Sequence, residues 1–394
     1  MARPLPAPNR QQGRARQGGR QAPPPGYRQR PQQGGNRQPP PPPAGGGHQP
    51  PPPGGHRPPP RRGGPPPRRP YRRKRRVGRI IGIFFAVLVL LLAGLWIYID
   101  YSLNRTPAIA DYAGRPAAAA GTNWLIVGTD SREGLDADQQ KELSTGDVSG
   151  AGGGKRTDTM MMLHIPDNGT KPTLVSLLRD SYVNVPGLGQ TRLNAAYNTG
   201  GAALLTKTVE QNTGMRMDHY AEIGFGGFAS VVDSVGGVNI CVKESIDDPK
   251  AGLNLKPGCQ DLNGPQALGY VRTRATPRAD YDRVLHQREF LGALMGKASS
   301  MGTILNPFKS IPLLFEAPDL LTVGESDHLH HLVGLAFAMK GASDGSLLTT
   351  TVPTGGGETT SGGASVVPWD QEKAQELFHA LNNDQPVPES VISD

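Results

Sequence analysis

The chain has 394 residues, a formal charge of +8 and two cysteines, enough for one large or two ordinary domains. The charge is unevenly divided: residues 1–79 hold 19 of the 42 lysines and arginines and no acid, which leaves 23 bases against 34 acids beyond them. A basic tail on an acidic body argues against nucleic acid as a partner, because only Tyr27 and Tyr71 interrupt the tail's arginines where base stacking would need aromatic side chains.

Residues 1–79 are built from Pro, Gly, Gln and Arg. Such a segment buries too little apolar surface to offset the entropy of ordering, so it reads as disordered. Ile80 to Ile99 follow, 20 residues without a charge, about 30 Å as a helix and enough to cross a bilayer once. "RRPYRRKRRVGR" precedes them and Asp100 follows. The positive-inside rule then places the tail in the cytoplasm, near anionic membrane lipids, and the body outside. "AIA" at 108–110 resembles a signal-peptide cleavage site, but the apolar run exceeds a signal core, which favours an uncleaved anchor. Cys241 and Cys259 form an even pair in an oxidising compartment and are expected to make one disulfide, closing a loop of about 19 residues worth roughly 3 kcal/mol.

Residues 100–120 read as a spacer. "NWLIVGT" (123–129) is a buried strand, with Asp130 at its carboxyl end. Residues 131–155 are a polar, glycine-rich loop. "TMMMLHI" (159–165) and "TLVSLL" (173–178) form a hairpin around "PDNGTK", and "SYVNVPG" is a short edge strand. A helix is predicted over "GAALLTKTVEQNTG", a strand at "HYAEIGF", a helix over "GFASVVDSVGG" and a strand at "VNICV". "NGPQALGYVRTR" opens as a helix, with Asn263 as its cap and Pro265 in its first turn. Helices are also expected at 281–300, 304–316, 328–341 and 370–382, and a strand at 347–352. The interleaving predicts an α/β fold: one domain over 121–394 with a mixed central sheet flanked by helices.

Charged residues gather at three strand boundaries: Asp130 and Arg132 in "VGTDSR", Arg156 and Asp158 in "KRTDT", Arg179 and Asp180 in "SLLRDSY". If the strand at 159–165 runs antiparallel to its neighbours, its start lies beside their ends and all three clusters share one edge. Arg272 and Arg274 have the spacing of one face of an extended segment. Arg283 and Gln287 share a helix face. A single Arg–Asp pair is ordinarily a structural salt bridge. Gathered arginines, however, cannot shed their protons and need a polyanion, and the planar guanidinium suits phosphate. Aspartates there would repel phosphate unless a cation lies between. Mg²⁺ favours that arrangement, with Mn²⁺ an alternative.

In order, "NWLIVGTDSR", "KRTDTMMMLHI", "SLLRDSYVNVPG", "TRLNAAYNTGG", "DHYAEIGFGGF", "VDSVGGVNICV", "LNGPQALGYVRTR" and "ADYDRVLHQ" resemble the LytR-CpsA-Psr family of bacterial cell-envelope enzymes, and the Arg/Pro-rich tail with its single anchor resembles the family's mycobacterial and actinobacterial members. The resemblance spans about 121–300. It implies a phosphotransferase that moves a glycopolymer from a polyprenyl-pyrophosphate carrier onto peptidoglycan through a phosphodiester, with arabinogalactan a candidate polymer. It further implies Asp130 and Asp158 as magnesium ligands, Arg156, Arg179, Arg272, Arg274, Arg283 and Gln287 as pyrophosphate-binding groups, and an apolar pocket for the lipid. Leu178 stands where the family has proline, and Leu285–His286 where it has a basic pair. Arg179, Asp158 and Asp180 are the catalytic candidates, with either aspartate open as the base. Two other functions remain open on the sequence: hydrolysis of a polyprenyl pyrophosphate, and a non-catalytic anchored regulator. "HLHHL" (328–332) reads as partly exposed histidines on one helix face. Met160–Met162 read as core.

Overall fold

The structure is a computed structural model describing residues 73–132, 135–145, 156–276, 280–304, 306, 320–360 and 363–393. Residues 1–72 of the tail, the glycine-rich stretch 150–154 and nearly all of the helix expected at 304–316 lie outside the described residues.

In chain order the strands are β1 (Asn104–Thr106), β2 (Thr122–Thr129), β3 (Thr157–Ile165), β4 (Thr173–Leu177), β5 (Ser181–Val185), β6 (Gly189–Arg192), β7 (His219–Ile223), β8 (Val238–Val242), β9 (Ile246–Asp248), β10 (Leu253–Leu255), β11 (Gly258–Leu262), β12 (Leu321–Gly324), β13 (Leu348–Thr351), β14 (Glu358–Thr359) and β15 (Ser365–Pro368). The helices are α1 (Arg73–Ser102), α2 (Ala137–Glu142), α3 (Leu193–Thr213), α4 (Phe225–Ser234), α5 (Gly264–Arg272), α6 (Asp280–Ala298), α7 (Met301–Ile304), α8 (Leu329–Asp344) and α9 (Gln371–Asn382).

The central sheet has the order β1-β12-β7-β2-β3-β4-β13 and is mixed. β3 is antiparallel to both β2 and β4, so its start does lie beside their ends. Side chains alternate across the sheet as the period of two requires. Leu125, Val127, Met160 and Met162 face α3 and α9, in a core that includes Leu205, Val209, Leu377 and Phe378. Trp124, Met161 and Leu163 face α8, in a core that includes Met339. The three consecutive methionines are therefore core on both faces. Trp124 is 1% exposed, and its truncation to alanine would cost about 3–5 kcal/mol.

Four readings change. Residues 104–106, read as spacer, form an edge strand parallel to β12. "SYVNV" is not an edge strand: it is β5, an inner strand of a second sheet ordered β14-β15-β5-β6, because β6 and the distant β15 pair with its two sides. Helix α3 starts at Leu193, before the predicted segment, and is interrupted at Gly200–Gly201. There Gly201 has φ +61°, a backbone that side chains with a Cβ rarely adopt. Finally, Arg272 and Arg274 do not lie on an extended segment. The capping box of Asn263 and Gln266 drives a helix that runs to Arg272 and ends at Thr273.

Helix α1 begins at Arg73, ahead of the apolar run. From Val77 to Ser102 it is long and apolar enough to cross a membrane. Cys241 and Cys259 oppose each other in the antiparallel β8–β11 pair and are joined as a disulfide.

Candidate active site: a charged mouth on an apolar cavity

A cavity of about 1180 Å³ opens at the carboxyl ends of β2 and β7, larger than the roughly 300–1,000 Å³ of ordinary small-molecule pockets. Its interior is apolar. Ile126 and Met161 supply the sheet side, Phe225, Phe228 and Val231 one wall, and Phe290, Leu291, Leu294 and Met295 of α6 the other. Its polar groups are concentrated among Asp158, Arg179, Arg272, Arg274, Arg283 and Gln287, with the β9–β10 segment Asp247–Ala251 beside them.

Asp158 reaches this cavity through a local irregularity. The β2–β3 register pairs Gly128 with Thr159 but Thr129 with Thr157, a bulge that leaves Asp158 as the extra residue. Strict alternation would send Asp158 and Thr159 to opposite faces, yet both line the cavity. A bulge re-aims a side chain in this way.

Arg179 Nη1 donates to Asp158 Oδ1 at 2.6 Å and its Nε to Asp180 Oδ2 at 3.2 Å. Two carboxylates thus hold one guanidinium. Burial pushes the Asp158 carboxyl up, but Arg179, Arg283 and Arg274 together outweigh it and hold it below the ordinary aspartate value. Gln287 Nε2 donates to Thr159 Oγ1 at 2.9 Å and to the Val271 carbonyl at 3.2 Å. Arg272 lies over the Phe225 ring at 4.5 Å and donates to the carbonyls of Leu143 and Ser144. Burial lowers its pKa, with Asp158 and Asp130 acting in the opposite sense and Arg132 adding to the lowering. Arg283 is 5% exposed.

Of the residues expected at the site, Asp158, Arg179, Arg272, Arg274, Arg283 and Gln287 come together at the cavity. Asp130 lies one residue past β2, where its amide donates to the Arg156 carbonyl and its Oδ1 accepts the Arg156 amide at 2.7 Å. That clip brackets the loop between them. The Arg156 side chain is exposed and outside the cavity lining. Asp180 also lies outside the lining, with Arg192 3.6 Å from its second oxygen. His286, in place of a basic residue, turns away and stacks on Tyr270 at 4.4 Å.

Carboxylates are the ligand type a hard divalent cation takes, but of the two expected here Asp158 lines the cavity and Asp130 does not. Asp130 and Asp158 follow neighbouring strand positions, both act on Arg272, and in each the engaged atom is Oδ1. A carboxylate has two acceptor oxygens. Sequence reasoning missed Phe225, Thr159 and the Asp247–Ala251 segment. Phe225 had a signal in the glycine-flanked "GFGGF"; the other two become visible only through tertiary contact.

Residues 104–383 match the LytR_cpsA_psr family. The chain is 48% identical over 305 residues to the probable cell wall biosynthesis protein LcpB of Corynebacterium glutamicum, covering 77% of this chain and 71% of that one. It is 30% identical over 312 residues to the cell wall biosynthesis protein LcpA of the same organism, covering 71% of this chain and 59% of LcpA. Among solved structures, TagT bound to LI-WTA superposes with a TM-score of 0.50 at 26% identity, covering 67% of this chain and 90% of TagT. The chain belongs to the LytR-CpsA-Psr family.

Proposed function

We propose that the protein works in cell wall biosynthesis as a phosphotransferase, moving a glycopolymer from a polyprenyl-pyrophosphate carrier onto peptidoglycan through a phosphodiester. The observation that supports this reading best is the seam at the cavity mouth, where four arginines, Arg283 among them buried, meet an aliphatic and aromatic interior. A diphosphate joined to a long hydrocarbon matches both halves. TagT, a relative in fold, has been solved bound to LI-WTA. The Arg/Pro-rich tail, by its resemblance to actinobacterial members, favours arabinogalactan as the polymer. In this reading the N-terminus is cytoplasmic, the body extracytoplasmic, and α1 the single membrane span.

Arg179, Arg272, Arg274 and Arg283 bind the diphosphate and offset its charge, and Arg179 is fixed by Asp158 and Asp180 before substrate arrives. Such positioned charge is the main lever in phosphoryl transfer. Asp130 and Asp158 would hold Mg²⁺, which when bound would neutralise the diphosphate and the charge left on the departing lipid phosphate. Asp158, its carboxyl held below the ordinary aspartate value, is a weak base and suits ion holding better than proton abstraction. Asp180 aims Arg179. The apolar cavity sequesters the lipid from water, the sugar hydroxyl is placed for attack on the phosphorus by binding, the bond to the lipid phosphate breaks, and the hydroxyl proton passes to that departing phosphate.

Mass spectrometry of lipid co-purifying with the full chain tests the substrate class. A polyprenyl phosphate or pyrophosphate is expected, and its absence with a competent substrate failing to bind overturns the reading. Product analysis separates transfer from hydrolysis: a phosphodiester conjugate is expected, and free phosphoglycan alone would show water to be the acceptor.

A further inference from the structure

Three side chains from remote parts of the chain meet at the end of β7 opposite the cavity. His219 opens β7, Asp327 lies in the turn after β12, and His331 is in the first turn of α8. Asp327 is fully buried. Its Oδ2 accepts the amides of Tyr220 and Gly324, each at 3.0 Å, which turns Oδ1 toward both histidines. His219 Nδ1 lies 2.5 Å and His331 Nδ1 3.7 Å from that oxygen. One donor atom from each of the three residues falls within 4.8 Å of the others.

His219 Nδ1 and Asp327 Oδ1 share a hydrogen bond, whereas His331 Nδ1, at 3.7 Å, is too far from that oxygen for one. His331 Nδ1 accepts the His328 amide at 3.1 Å, so it carries a lone pair and no proton. Asp327 Oδ1 is likewise an acceptor. Each of these acceptors is met by an N–H, of His328 and of His219, and a cation seated among the three residues would replace those two hydrogen bonds with metal bonds. The rings are also pre-oriented: His219 packs between Trp124 at 4.5 Å and His331 at 4.3 Å.

We propose that His219, Asp327 and His331 bind a divalent transition-metal ion of the Zn²⁺ class at a structural site separate from the diphosphate site. Two imidazoles and one carboxylate are a zinc-type donor set with room for a water, whereas Mg²⁺ favours oxygen alone. Asp100, at the end of α1, accepts the Leu329 amide at 2.7 Å and contacts His328 Nδ1 at 3.0 Å. The ion therefore fastens β7 and the β12 turn to the same helix end that holds the foot of α1.

The test uses the untagged full-length chain in detergent, stripped with a chelator and kept in excess Mg²⁺ so that carboxylates elsewhere on the chain compete less for the added metal. Zn²⁺ is titrated calorimetrically, and Co²⁺ serves as the spectroscopic probe. A single tight equivalent, a four-coordinate Co²⁺ visible band and a raised Tm are expected. His331→Ala should weaken binding by at least the roughly 10–100-fold that loss of a supporting partner costs a metal site. His330→Ala should leave it unchanged. No binding by the folded wild type, equal affinity in His331→Ala, or loss in His330→Ala alone would each overturn the site. Asp327→Ala is not relied upon, since it empties a buried position.

Discussion

Thr273 Oγ1 donates to the Asp248 carboxylate at 2.7 Å, and Thr273 is fully buried between Arg272 and Arg274. Asp248 also accepts the amides of Ala251, Arg274 and Lys250. These bonds and that of Thr273 outweigh the upward push of burial and keep its carboxyl below the ordinary value. One acid on the β9–β10 segment thus sets the backbone from which two site arginines project. Thr273→Val keeps the shape and removes the hydroxyl. It should cost about 1–3 kcal/mol of stability and lower transfer while leaving both arginines in the chain. Thermal unfolding beside a transfer assay checks this, and unchanged turnover would show that the arginine pair does not depend on Asp248.

Arg179→Ala and Asp158→Ala should each lower transfer by about 10³-fold or more with little change in circular dichroism, because both side chains lie at the cavity mouth and outside the core. Arg179→Lys should fail to rescue, since a point charge cannot bridge Asp158 and Asp180 as the planar fork does. Turnover near wild type in either alanine variant would remove that residue from the mechanism.

The depth of the cavity can be tested apart from its charges. Leu294 is 7% exposed and lines the wall formed by α6. Leu294→Trp fills that space. It should reduce the lipid recovered with the protein, at a stability cost of about 1–3 kcal/mol from overpacking. Lipid recovery by mass spectrometry, with Tm measured alongside, separates occlusion from unfolding; recovery equal to wild type would place the hydrocarbon elsewhere.

His286 makes stability depend on pH. Burial beside Tyr270 lowers its pKa, and Glu289 and Asp282 oppose that only in part. The folded chain therefore holds the ring neutral more strongly than the unfolded chain does. This contribution is complete above the unfolded value of about 6.5 and is lost as pH falls below it, where the unfolded state takes up the proton first. His286→Gln should flatten that part of a stability–pH curve measured by urea unfolding. An unaltered slope would contradict the assignment.

The central strands and most of the site were legible because their signals are local. Apolar runs marked β2, β3 and β4, and arginines beside strand ends marked the mouth. The antiparallel placement of β3 followed from its short link to β4. What escaped the sequence depends on distance. β1 and β12 are three- and four-residue strands that pair across more than half the chain. β5 looked like an edge because its partner β15 is remote. The Arg272–Arg274 spacing was read as extended although a capping box upstream makes Arg272 helical. The histidines of "HLHHL" are partly exposed, as read, while the approach of His331 to His219 and Asp327 was hidden because those two lie outside the motif.

The bulge at Asp158 separates two requirements that a regular strand would couple. In an even ladder, adding or losing one residue ahead of β3 would rotate every following side chain to the other side of the sheet. Here the surplus residue is absorbed at the rim, and the methionines beyond it keep their places on the two faces. A one-residue slip at that end then costs neither the interior nor the orientation of the acid.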